Sequence, residues 1–583
     1  MAFSVSPGVE VKEIDATNVI GVTTSTSVGG TAGRFKWGPV EQIMTVRSEK
    51  ELVEIFGAPD DANTAATFLP AAGFLKYASN LQVIRQADAD QKNAAGTSAN
   101  DKAVLIKNRS DYSEGAAAGI AASTVPWFAR YPGGLGNSLQ VITCVAAAAN
   151  DPYNSAAFSA YKDLFNSAPG TSAYAENLGK TLDEMHVVVI DRLGLITGVA
   201  GTVLESFGYV SQASDAKKED GSSNFFKDVV DNGSEYIWTG DITSSRTPDS
   251  AGKVQSITAP GDNYTVNAQT AIHSTNFKDG ADGTYANTAT KTAISTLFGD
   301  ALSSSINFLF AAEGVEKTDT DVNGQIIATA TTRKDCIGFI SPPCAITKTP
   351  ATTTAADLVA YFNTTAVATS SSYVVADSSS LYVYDKYNDE YRYIAASGHL
   401  AGLCANTDRV ADSWFSPAGQ NRGQILGVTK LAYNPVKADR DTLYQARINP
   451  IVSLPGSGLQ LYGDKTRLAK PSAFDRINVR RLFITLEQAI AAASEAMLFE
   501  FNDEFTRANF RNMVEPFLRD VKGRRGITDF LVVCDETNNG GQVIDTNSFV
   551  ADIYIKPARS INFITLNFVA TRTGVEFSEI AGQ

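Results

Sequence analysis

The chain has 583 residues, 44% of them hydrophobic and 19% charged, with a formal net charge of −14. That length exceeds what one hydrophobic core organises and predicts roughly four domains at about 150 residues each; the negative charge disfavours nucleic acid as the main partner, because phosphate binding needs basic surface. Five widely spaced cysteines with no CxxC pair, no apolar run of about 18 residues, and an opening MAFSVSPG without a basic or apolar leader region give the expectation of a reducing compartment, no disulfide framework, no export and no membrane insertion.

In chain order, residues 1–20 read as an extended arm, a short strand behind the Pro7-Gly8 turn that carries Val9 and Val11. Residues 21–90 show a strand–helix–strand rhythm, with a helix over 65–78 and the strand LQVIR, the mark of an α/β core. Residues 91–185 and 186–334 read as two inserted β-rich outer domains, the second opening on HVVVID and holding long Ser/Thr/Asp/Gly runs. The core pattern resumes at DCIGFISPP and fills 335–460, and 461–560 form a C-terminal α/β domain. In that domain Thr485 and Gln488 fit a capping box. Leu486, Ile490, Ala493, Met497 and Phe501 then make one apolar stripe. A second helix starts near Asn502 or Asp503 and is expected to kink or restart at Pro516. Two strands follow, the second with Phe549, Ala551, Ile553 and Ile555 on one face and Val550, Asp552, Tyr554 and Lys556 on the other. Residues 561–583 are a last strand and arm, with Ile564, Leu566 and Phe568 alternating along it. The expected class is α+β multidomain: a mixed α/β core, a C-terminal α/β domain, β-rich insertions and extended arms at both ends. Such arms leave strand edges that need partners, and adding a strand to a neighbour's sheet links proteins.

Chemistry-bearing motifs are sparse. His186, His273 and His399 lie far apart and read as structural; no GxSxG elbow and no phosphate-binding GxxxxGK[ST] occurs. The glycine-dense run 131–137 lacks the GxGxxG register and reads as a tight turn before a strand over 138–143. Residues 319–324 read D-x-D-x-N-G, half of a calcium loop, but the twelfth position is Ala330, so a polar β-turn is the expectation. No cofactor and no metal are expected. Arg476, Arg480, Arg481, Arg507, Arg511, Arg519, Lys522, Arg524 and Arg525 form a basic cluster in an acidic chain. It reads either as a solvated face paired to Glu487, Glu504, Glu515 and Asp520, or as an interface with an acidic partner.

SPGVEVKEID at 6–15, RYPGGLGNSLQV at 130–141, RKDCIGFISPP at 333–343, WFSPAGQNRGQILGV at 414–428, YGDKTRL at 462–468, RINVRRL at 476–482 and the C-terminal run resemble, in order and spacing, the tail sheath proteins of contractile-tailed bacteriophages, the long T4-like members above all. The resemblance is weaker across 91–335. It implies a non-enzymatic subunit that stacks with copies of itself as six-fold discs around a tail tube, meets baseplate and tail terminator proteins, contacts neither nucleic acid nor membrane, is assembled in the host bacterial cytoplasm and ends in the virion tail. It further implies strand exchange through Val9, Val11, Ile564, Leu566 and Phe568. It places the C-terminal domain against the tube, with Arg507, Arg511, Arg519 and Lys522 as candidate contacts. The motifs 462–467 and 476–482 would be core of that inner domain. A sheath of a headless contractile injection device is the alternative, with a subtilisin-like hydrolase relic more remote.

Overall fold

The structure is a computed structural model that describes residues 26–562, apart from 61, 97–103, 115–125, 147–151, 180, 214, 241–271, 285–286, 312–319 and 365. These residues fall into two compact units, a larger one of Ser25–Ala411 with Pro417–Ile477 and a smaller one holding Asp412–Ser416 and the chain from Asn478.

The larger unit opens with β1 (Gly29–Gly33), β2 (Ile43–Val46), helix α1 (Ala62–Leu75) and β3 (Leu81–Arg85). After an insertion, α2 (Asn287–Leu297), β11 (Phe308–Phe310), α3 (Thr320–Arg333), β12 (Ile337–Ile340) and β13 (Val374–Ala376) complete a six-stranded sheet in the order β13-β12-β11-β1-β3-β2. All its pairings are parallel except β2 with β3. FLF, IGFI and VVA are buried at every position, as expected of parallel strands covered on both faces. Successive residues of β1 show the two covers. A Cβ at Gly29 would lie 2.7 Å from Phe74 of α1, and one at Gly30 would lie 3.1 Å from Ile306 beside Phe298. Helix α4 (Ser397–Val410) packs on α1 at a separation that only glycine allows. A Cβ at Gly73 would sit 2.3 Å from the His399 ring, and one at Gly398 would sit 2.2 Å from the Pro70 carbonyl oxygen. Burial pushes His399 down to about 3, so the imidazole is neutral.

The insertion is one antiparallel sheet. Strands β4 (Ala95–Gly96), β5 (Trp127–Ala129), β6 (Leu139–Val145), β7 (Glu184–Asp191), β8 (Thr202–Ser211), β9 (Ile237–Thr239) and β10 (Ile272–Lys278) run in the order β8-β7-β6-β10-β4-β5-β9. One face packs Leu139, Val141, Val187 and Val189 into a core with Trp127; the other packs Ile142, Val188 and Ile190 around Phe158. The expected division at 185/186 is therefore corrected: β6 pairs with β7 from Leu139↔Asp191 to Val145↔Met185, across that boundary. The expected end of the insertions at 334 is corrected too, because α2, β11 and α3 belong to the core sheet. Arg85, the last residue of β3, joins the two sheets. It is buried and donates to the carbonyls of Gly38 (2.8 Å), Lys36 (3.3 Å) and, in the insertion, Pro132 (2.7 Å). The run at 131–137 gives way to a 3-10 turn, Gly134–Ser138, directly before β6, as the turn reading expects. Residues 320–324, by contrast, open helix α3, so the polar-turn reading fails there.

Asp377 follows β13 and is fully buried. One carboxyl oxygen accepts from the Ser379 amide at 3.3 Å, and the other bonds the Ser341 hydroxyl, which in turn accepts from the Ser397 amide at 2.9 Å. Burial pushes this carboxyl up to about 7, against the hydrogen bonds that lower it. A raised folded-state pKa means that folding takes up a proton between about pH 4 and the folded value. The stability it supplies is complete below the unfolded pKa and is lost as pH rises through about 7. Asp377→Asn is expected to gain thermal stability relative to the parent between pH 5 and pH 7, at up to about 1.4 kcal/mol per pH unit, and to level off above pH 7. Thermal unfolding of both chains across that range checks it; a difference independent of pH contradicts it.

The larger unit ends in two small sheets, β14 (Leu381–Asp385), β15 (Glu390–Ile394) and β16 (Lys430–Leu431), then β17 (Ile451–Leu454) with β18 (Gly458–Leu461). The motif 462–467 belongs here and not in the C-terminal unit, which moves the expected boundary from 461 to 478. Its Arg467 is buried and donates to the carbonyls of Ala446 (2.8 Å) and Phe362 (2.9 Å), while Asp464 pairs with Arg476 at 3.0 Å. No helix among the described residues is long and apolar enough to cross a membrane.

Candidate functional site

The smaller unit is built on two helices and two strands. Helix α5 runs Ile477–Glu495 and α6 runs Glu504–Gly523. Asp503 caps α6, its carboxylate accepting from the Thr506 amide at 2.8 Å. Phe510, Val514, Leu518 and Val521 recur every three or four residues and are buried against Trp414, Leu482 and Leu486. The helix does not restart at Pro516. The proline cannot donate to the carbonyl of Asn512, but both residues lie on the exposed face of the helix. The capping box at Thr485 is corrected. α5 already runs from Ile477, and the Thr485 hydroxyl donates to the Arg481 carbonyl at 3.0 Å within the helix. Phe501, the last position of the expected stripe, lies beyond the helix and is exposed.

Strands β19 (Ile527–Val533) and β20 (Asp552–Pro557) pair antiparallel, with Leu531↔Tyr554 and Val532↔Ile553 in register. The alternation expected of the second strand holds: Ile553 and Ile555 pack on the helix core, whereas Tyr554 and Lys556 face out. Each strand has one neighbour, so among the described residues this sheet ends in an open edge on both sides. Two strands alone are marginal in water, and exposed edges accept further strands. Leu531 and Tyr554 add an exposed apolar pair on the face away from α6. The strand-exchange candidates Val9, Val11, Ile564, Leu566 and Phe568 lie outside the described residues.

The basic cluster separates into inner and outer cations. Arg507 is buried, and its guanidinium donates to the Asn502 side chain at 2.9 Å and the Asn502 carbonyl at 3.3 Å. Arg511 is half-buried and donates to the Cys534 carbonyl at 3.0 Å, tying α6 to the end of β19. These two hold the fold of the unit, which corrects their expected place on an open face. Arg480 and Arg481 are buried as well. Arg519 is exposed, 3.9 Å from Glu515 one turn back, and Lys522 is half-exposed, 3.2 Å from Asp529. Arg524 stacks over Trp414 and pairs with Asp412 and Asp520, and Arg525 is exposed. Hydrogen bonds from Thr537 hold the Asp535 carboxyl below its usual range, with smaller help from Arg511 and Arg507.

The two histidines with described side chains belong to the larger unit. His186 stacks on Phe165 at 4.0 Å, with its ring nitrogens on the Ser167 carbonyl (3.0 Å) and the Tyr209 amide (3.1 Å); His399 is sealed between α1 and α4. No group of three or more metal-ligating side chains occurs among the described residues.

Comparison with known proteins fits this arrangement. Residues 469–571 match the phage tail sheath C-terminal domain, 285–467 the phage tail sheath central domain, and 26–85 the domain III N-terminal region of a tail sheath protein. The tail sheath protein of Vibrio phage KVP40 is 35% identical over 99% of this chain and 99% of its own length. That of Enterobacteria phage T4 is 32% identical over the same shares. The chain belongs to the phage tail sheath family. Among solved structures, a sheath tail protein from Listeria innocua aligns with a TM-score of 0.53 at 11% identity, over 92% of this chain and 93% of its own. One from Desulfitobacterium hafniense aligns at 0.50 and 12%, over 94% and 100%. Both share the fold. The central-domain match begins at 285, just before α2, in agreement with the sheet pairing and not with a boundary at 334. This tail sheath protein is a component of a contractile phage tail.

Proposed function

We propose that this tail sheath protein polymerises as stacked hexameric discs around a tail tube, in an extended lattice that contracts and drives the tube through the host envelope for genome delivery. The observation that carries the reading is the open-edged sheet of β19 and β20 in a chain that matches tail sheath proteins along its whole length. The terminal arms of neighbouring copies add strands to those edges through Val9 and Val11 at one end and Ile564, Leu566 and Phe568 at the other. Head-to-tail contacts of this kind do not close on themselves and generate a helix. The extended lattice is a kinetically trapped state that relaxes to one with more surface buried between copies. The role is structural and non-enzymatic, because the energy is stored during assembly. The outer cations Arg519 and Lys522 face an acidic tube, and the ends of the lattice meet baseplate and tail terminator proteins. Assembly takes place in the cytoplasm of the host bacterium, and the product is part of the virion. Phage relatives at 35% and 32% identity favour a phage tail over a headless device.

In this arrangement the insertion lies on the outer surface and the C-terminal unit inside. Residues 217–222 form an exposed turn of the insertion. Limited proteolysis of assembled cylinders is expected to cut there, or at 244–253, which lie outside the described residues, and to spare 476–583. Early cleavage within 476–583 would reverse the radial order.

A further inference from the structure

The turn that joins α5 to α6, together with the first turn of α6, carries four large apolar side chains in eight residues, and all point to solvent: Leu498 is 64% exposed, Phe499 104%, Phe501 83% and Phe505 72%. Nothing in the helix's own stability calls for them, and monomeric proteins rarely leave such a cluster uncovered. The turn is also acidic. Glu500, Asp503 and Glu504 are exposed beside the rings, and among the described residues neither Glu500 nor Glu504 has an ion pair. The other end of α6 is its complement, with Arg524, whose guanidinium lies over Trp414 and pairs with Asp412 and Asp520, next to the exposed Arg525. Arg525 carries no ion pair among the described residues, and Pro516 is exposed two turns before. Helix α6 is 20 residues long, about 30 Å at 1.5 Å per residue, so the two ends of one chain cannot meet.

We infer that the turn at 498–505 docks on the C-terminal end of α6 in a second copy of this chain. Guanidinium groups over phenylalanine rings and glutamates beside arginines supply both the apolar and the charged parts of the contact. The contact is heterologous: one copy gives its turn and offers its basic end to the next, which propagates a ring or a helix. An acidic tube is a poor occupant of this turn, since Glu500, Asp503 and Glu504 would face like charge. The inference rests on the sheath reading and adds a contact that does not use the terminal arms.

All five native cysteines are buried, so engineered ones can be cross-linked selectively. A chain carrying both Phe499→Cys and Arg525→Cys, assembled into cylinders and treated with a short bis-maleimide, is expected to give a ladder of dimers, trimers and longer products on a denaturing gel. Each single-cysteine chain stays monomeric. Cylinders of normal diameter whose chains stay monomeric, or link to the tube protein, overturn the inference. If the cysteine chains build no cylinders, charge reversal decides. Glu500→Arg with Glu504→Arg, and separately Arg524→Glu with Arg525→Glu, each lower the polymerised fraction at least tenfold, and mixing the two chains restores it. Parent-like polymerisation of both overturns the contact while leaving the sheath reading intact; a parent chain that builds no cylinders removes the sheath reading and this contact with it.

Discussion

Removing residues 1–14, or every residue after Ile561, is expected to leave a folded chain that builds no cylinders. The reason lies in the smaller unit. Among the described residues its helices bury Phe510, Val514, Leu518 and Val521 against Trp414 and Leu486, and this core is expected to survive truncation. On the strand-exchange proposal, truncation removes the strands that neighbours would receive along β19 and β20, each of which has one open edge among the described residues. Strand addition supplies a row of main-chain hydrogen bonds per contact, and every copy in the lattice loses it. Sedimentation velocity reads the loss as conversion of polymer to monomer, and thermal unfolding checks that the fold is kept. Truncated chains that form cylinders of normal length would show that arm exchange does not link the copies.

The candidate tube contacts are expected to divide in two under charge reversal. Arg507→Glu places a carboxylate where a buried guanidinium served Asn502, and leaving a charge unpaired inside costs about 3–5 kcal/mol. That variant should lose several degrees of thermal midpoint before assembly is considered. Arg519→Glu with Lys522→Glu removes only exposed cations. Surface pairs are worth about 0.2–1 kcal/mol each, so the fold should be unchanged, while the same small term repeated at every copy along a tube should slow tube-templated growth at least tenfold. Salt should imitate the double reversal, because exposed pairs are screened over a Debye length of about 8–10 Å. Growth on tubes that ignores both treatments would return Arg519 and Lys522 to the reading of a solvated face.

How much was legible from the sequence follows how local each signal is. The helix expected over 65–78 is found at Ala62–Leu75, the start of α6 at Asp503 is right, and the two faces of β20 are as read, since caps and alternation are short-range. Asn323 and Gly324 suggested a turn but serve packing inside α3. The Asn323 amide donates to the Ser341 carbonyl at 2.9 Å and the Tyr361 hydroxyl at 3.0 Å, and a Cβ at Gly324 would lie 2.8 Å from the Ala366 carbonyl oxygen. Those partners are 18 to 42 positions away, beyond any local pattern. Thr485 matched a cap because Thr-x-x-Gln also occurs inside helices, where the hydroxyl can bond the carbonyl four residues back. Pairing of β6 with β7 across the expected boundary is a long-range register that composition does not encode. The resemblance places Arg507 on an open surface, whereas in α6 it continues the buried stripe of Phe510, Val514, Leu518 and Val521, with Asn502 accepting from its guanidinium. The exposed turn at 498–505 was hidden by its own rings, since Met497 and Phe501 continue the apolar period of α5 past the point where the helix ends at Glu495.

The most direct measurement is negative-stain electron microscopy of the purified chain, concentrated without any other tail component. The sheath account predicts hollow, transversely striated cylinders of uniform diameter, because on that account copies of this chain bond to one another without needing a tube. Monodisperse particles that remain so across concentration and salt would contradict it.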